Sequence, residues 1–102
     1  MVSFRIDENI LHIIGDISIS SGKSFQHILQ ETTFKQSPVL DLSLVKKWDT
    51  SSIQLLIAYR KKYEQTSLHF RGIPEEMKHD LALMGLTTLF VEDNHEENSP
   101  NS

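Results

Sequence analysis

The chain has 102 residues, 38% of them hydrophobic, no cysteine and a formal net charge of −4. That is enough chain for one domain, and it excludes a disulfide framework or a thiolate zinc site. It also argues against a general nucleic-acid binder, which needs a basic face to displace counterions from phosphates.

No apolar run approaches the roughly 20 residues needed to cross a bilayer. The start, MVSFRIDENI, lacks the basic and long apolar segments of a signal peptide. A cytoplasmic protein with no membrane insertion is the expectation.

In chain order, FRIDEN and ILHIIGDISI read as two strands. Phe4 and Ile6 alternate with polar neighbours, and Leu11, Ile13 and Ile14 continue an apolar, β-branched pattern. Asp7, Glu8 and Asn9 supply the turn of a β-hairpin. SSGKSFQHILQETTF reads as a helix, with Ser20 or Ser21 as its cap and Phe25, Ile28 and Leu29 at helical spacing. SPVLDLSLV, preceded by Pro38, reads as a buried strand.

A second helix is expected from about Ser51 to Gln65. Ile53, Leu56, Ile57, Tyr59 and Tyr63 form its apolar arc, with Gln54, Lys61 and Lys62 opposite. SLHFRGI gives a fourth strand, with Leu68, Phe70 and Ile73 facing one way. The last helix opens on Pro74, Glu75 and Glu76, since proline suits the first helical position and acids suit the first turn. Met77, Leu81 and Met84 form its stripe, Gly85 its stop, and Leu86, Leu89 and Phe90 return to the core. Residues 92–102 hold four acids and no Lys or Arg, which reads as an acidic, disordered tail on a domain spanning 1–91.

The order is β-β-α-β-α-β-α. This is an α/β single domain with a roughly four-stranded mixed sheet and about three helices, its later strands parallel. In such sheets functional loops gather where strands end and helices begin. KKWDT, Lys46 to Thr50, lies at one of these points.

Catalytic chemistry finds little support. His12, His27, His69, His79 and His95 show no metal-pair spacing. There is no nucleophile elbow, P-loop or dinucleotide fingerprint. Asp16 and Asp41 could approach Asp49, but three acids without metal-site spacing make a poor catalytic centre. No enzyme, metal or cofactor is expected.

The head of the second helix is unusual, because Asp49, Thr50, Ser51 and Ser52 follow one another. Capping needs only one of them. Asp49 or Thr50 can accept a bond from a backbone N–H two or three residues on, worth about 1 kcal/mol. Alternatively, a hydroxyl here is a modification site. Phosphate on Thr50 or Ser51 would lie at the positive end of a helix, and its charge could control a partner. The two readings are compatible.

The whole pattern resembles a STAS domain, the fold of bacterial anti-sigma factor antagonists. VLDLSLVKKWDTSSI matches a strand ending in D-L, a loop, and D-[ST]-x-G-[LI] opening a helix. SLHFRGIPEEMKHDLALMGLTTLF matches the late strand, proline, helix and GL…LF close. The resemblance is good from Pro38 to Phe90 and looser from Phe4 to Phe34.

It implies a protein-binding regulator of signal transduction and transcription. Thr50 matches the phosphorylated residue, with Ser51 as runner-up. Asp49, Thr50, Ser51 and Ser52 would form the docking surface, with Lys46, Lys47 and Trp48 near its rim. The implied partners are an anti-sigma factor or a Ser/Thr kinase and phosphatase. Ser52 stands where the family usually has Gly. In this DTSSIQLL resembles a branch that includes the STAS subunit of lipid-transporting ABC systems and adaptors in chemotaxis-type signalling.

Overall fold

The computed structural model describes residues 2–18, 24–32, 34, 38–63 and 68–90. The expected cap of the first helix, Ser20 or Ser21, and the expected tail lie outside these residues.

Four strands, β1 (Val2–Asp7), β2 (Ile10–Asp16), β3 (Val39–Lys47) and β4 (His69–Arg71), form one mixed sheet in the order β1-β2-β3-β4. Three helices, α1 (Ser24–Glu31), α2 (Thr50–Lys62) and α3 (Glu75–Leu83), alternate with the later strands. A short 3₁₀ turn spans Thr87–Leu89. The expected element order is borne out.

β1 and β2 pair antiparallel through a two-residue turn, with Asp7 opposite Ile10. Glu8 takes the positive φ of 57° that such a tight turn demands. β2, β3 and β4 are parallel.

Side-chain alternation gives the sheet two different faces. Leu11 and Ile13 of β2, Leu40 and Leu42 of β3 and Phe70 of β4 are fully buried. They form a single core with Phe25, Ile28 and Leu29 of α1, Ile53, Leu56 and Tyr59 of α2, and Met77 and Leu81 of α3. The expected stripes therefore face the sheet. Ile57 is half-buried at the margin of the core. Leu68 and Ile73 are buried just outside β4, and Phe90 stacks on Phe70 with ring centroids 4.6 Å apart.

Two boundaries differ from expectation. α2 begins at Thr50 and ends at Lys62, where Tyr63 caps it with its backbone N–H. Pro74 is the N-cap of α3 rather than its first helical residue, with φ −57° and ψ 146°. Its extended ψ turns the chain out of β4 before the helix starts.

The second face of the sheet carries a polar row. His12 Nδ1 and Asp41 Oδ2 lie 2.6 Å apart across β2 and β3. Asp41 Oδ1 accepts from the Ser43 N–H at 3.0 Å. Burial pushes the Asp41 carboxyl up, but the hydrogen bonds from the Ser43 backbone and side chain and from His12 outweigh it. The group is held below the usual carboxylate range.

Candidate functional site at the head of the second helix

β3 ends at Lys47, and Trp48 and Asp49 carry the chain into α2. Asp49 is the N-cap, with an extended backbone at φ −147° and ψ −178°. Its carboxylate accepts from the Ser52 N–H at 2.9 Å, and Ser52 Oγ accepts from the Asp49 N–H at 2.9 Å. Ser52 Oγ also donates to the Asp49 carbonyl at 2.8 Å. This is a capping box in which serine does the work usually given to Glu or Gln.

The four polar residues therefore divide their labour. Asp49 and Ser52 close the helix end on each other. Ser52 is buried at 1% exposure, so it supports the helix head from inside rather than presenting a side chain on its surface. Thr50 and Ser51, the first two helical residues, are exposed. Thr50 is thus not the cap, which the residue types alone left open between Asp49 and Thr50.

Lys46 and Lys47 are exposed at the end of β3. Trp48 is half-buried and packs on the edge of the core, while its indole N–H donates to Asp80 Oδ2 of α3 at 2.8 Å. That bond ties the loop to a helix more than thirty residues away. Between them lies an open groove of about 350 Å³, lined by Trp48, Asp49, Thr50, Ile53, Asp80, Leu83 and Met84. Leu83 is 75% exposed there. Sequence reasoning missed Asp80 and Leu83. The available signal was that Leu83 falls more than about 90° away from the Met77, Leu81 and Met84 stripe, an apolar residue with no place in the core.

The three acids do not gather. Asp16 ends β2 opposite Lys47, and its carboxylate accepts from the backbone N–H and the hydroxyl of Ser18. Asp41 lies six residues before Lys47, about 20 Å along an extended strand. Among the described residues no cluster of His, Asp and Glu could hold a metal ion, and no helix is long and apolar enough to cross a membrane.

A protein-family profile described as "Mlab, STAS domain" matches residues 1–92. The chain belongs to the STAS family. Solved structures share the fold of this STAS domain. An anti-sigma factor antagonist from Mycobacterium paratuberculosis superposes with a TM-score of 0.72 at 16% identity, covering 95% of this chain and 88% of that one. The anti-sigma factor antagonist SpoIIAA in its unphosphorylated form gives a TM-score of 0.63 at 9% identity, covering 95% and 91%. No curated protein matches the sequence. The STAS fold thus places the DTSSI segment at the carboxyl end of a parallel strand, with its threonine outward.

Proposed function

We propose that this protein is a non-enzymatic regulatory module of the anti-sigma factor antagonist kind, which binds a protein partner and is switched by phosphorylation of Thr50. One observation carries the reading. Thr50 is exposed at the first position of α2, directly after the capping Asp49, and lines a groove together with Trp48, Ile53, Leu83 and Met84. Ser51 is the second candidate for modification. The partner covers Asp49, Thr50 and Ser51, with Trp48, Lys47 and Lys46 at the rim and Ser52 holding the surface from beneath. The partner class is an anti-sigma factor, or a Ser/Thr kinase and phosphatase, in the bacterial cytoplasm.

The physics of the switch is local. A phosphate on Thr50 adds up to about two negative charges beside the Asp49 carboxylate. A partner fitted to the neutral hydroxyl must then bury that charge unpaired or oppose it, which costs several kcal/mol. The fold survives, because a negative group at a helix N-terminus is favourable.

A second reading is a constitutive STAS subunit, for example in a lipid-transporting ABC system, or an adaptor in a chemotaxis-type pathway. It is favoured by Ser52, which stands where the family usually has Gly and is committed to the capping box. Pull-down from the native organism identifies the partner, and mass spectrometry of the Thr50 peptide reports its modification. Titration of that partner then decides between the readings. Thr50→Glu weakens binding at least tenfold and Thr50→Ala leaves it intact if Thr50 is a switch. Equal affinities for all three proteins support the constitutive subunit.

A further inference from the structure

β1 forms one edge of the sheet. Natural edges are blunted by charged side chains, lysine above all, by proline, by bulges or by a covering element. The charged residues of β1, Arg5 and Asp7, alternate with Phe4 and Ile6 and so belong to the other face of the sheet. β1 has no lysine, proline or break in its register; the irregularities lie between β2 and β3. Instead it exposes Phe4 at 46% and Ile6 at 50%, two of the four large hydrophobic side chains exposed among the described residues.

The backbone groups that point away from β2 belong to the same side of the strand. The pair that closes a two-residue hairpin turn is hydrogen-bonded, and such pairs alternate along the ladder. Asp7 opposite Ile10 closes this turn, so Asp7, Arg5 and Ser3 direct their N–H and C=O toward β2. Val2, Phe4 and Ile6 direct theirs outward.

We propose that β1 pairs antiparallel with β1 of a second copy of this chain, with Phe4 opposite Phe4 on a two-fold axis. A two-fold interface requires that residue i meets j wherever j meets i. The outward backbone groups allow only even-numbered residues to exchange bonds. With Phe4 on the axis, Val2 lies opposite Ile6 and Ser3 opposite Arg5, so apolar residues meet apolar ones and polar residues meet polar ones. Shifting the register toward Asp7 sets Arg5 against Arg5, and like charges directly opposed are destabilising. This self-match of side chains favours a second copy over an unrelated strand. Two six-residue strands bury little against the roughly 1,000 Å² of a stable interface, so the association is weak and concentration-dependent.

Sedimentation equilibrium of the full chain from micromolar to millimolar concentration tests this directly. The expected result is a monomer–dimer equilibrium whose Kd rises at least tenfold in Phe4→Glu. Because the chain has no cysteine, Phe4→Cys offers an independent trap. Mild oxidation should link it into a dimer, while Leu83→Cys, at a more exposed position on α3, should stay monomeric. A chain that remains monomeric throughout overturns the proposal. So does a dimer that Phe4→Glu leaves untouched, or a Leu83→Cys control that cross-links as fast. The trap decides the case if Phe4→Glu proves unable to fold.

Discussion

Trp48 and Asp80 join the site loop to α3 through a 2.8 Å hydrogen bond from indole N–H to carboxylate. The bond fixes one wall of the groove beside Thr50, since both residues line it. A carboxylate oxygen as acceptor places it among the stronger side-chain bonds. Asp80→Ala should therefore lower stability by about 1–2 kcal/mol, by leaving a half-buried indole N–H without its partner. Asp80→Asn keeps an acceptor and should cost less. Urea unfolding of both variants checks the order. If the proposed docking surface is correct, Asp80→Ala also weakens the partner without touching Thr50.

The capping box makes Ser52 the most sensitive of the three hydroxyl residues. Ser52→Ala removes the acceptor for the Asp49 N–H and the donor to its carbonyl. A loss of about 1–2 kcal/mol is expected. Thr50→Ala and Ser51→Ala alter exposed side chains outside the box and should stay within about 0.5 kcal/mol. Thermal melts of the three variants separate the cap from the candidate switch. A Thr50→Ala variant as unstable as Ser52→Ala would mean that Thr50 is structural.

Asp41 should give the protein an acid-sensitive component of stability. Its carboxyl is held below its ordinary range in the fold, so the unfolded chain takes up the proton first. Its contribution is fully present above the unfolded pKa, about 3.9, and is lost as pH falls through the folded value below it. Asp41→Asn should flatten the stability profile below about pH 4 and lower stability at neutral pH, because His12 Nδ1 loses its carboxylate partner. Urea midpoints measured from pH 2.5 to pH 7 would show this. An acid limb unchanged in Asp41→Asn would assign it to other carboxylates.

Two glycines with similar backbones should respond differently to alanine. Gly72 has φ +66°, and an added Cβ would meet the Ser43 Cβ at 2.6 Å and Asp41 Oδ1 at 3.2 Å. Gly85 has φ +73° with nothing within 4 Å. Gly85→Ala pays only the left-handed conformational penalty, about 1–2 kcal/mol. Gly72→Ala adds a steric clash with the polar row and should cost clearly more, about 3 kcal/mol in all. Chemical denaturation of the pair tests the difference. Equal losses would mean that the β3 backbone yields freely at Ser43.

Local features were determined by the sequence itself. The hairpin turn at Glu8, the apolar stripes of the helices and the glycine stop of α3 depend on spacings of two to four residues, which chain geometry dictates before any packing occurs. The DTSSI segment was legible as a helix head for the same reason. Tertiary structure decided what depends on residues far apart in the chain. It buried Ser52, whereas the reciprocal bonds that make Asp49 the cap are local, three residues apart. It brought His12 to Asp41 and Trp48 to Asp80, pairs separated by 29 and 32 positions. Sheet register and helix docking set those meetings, and no local periodicity encodes either one. The edge position of β1 has the same origin. Alternation in FRID foretold a strand, but only the strand order put Phe4 and Ile6 on an edge of the sheet, about half exposed.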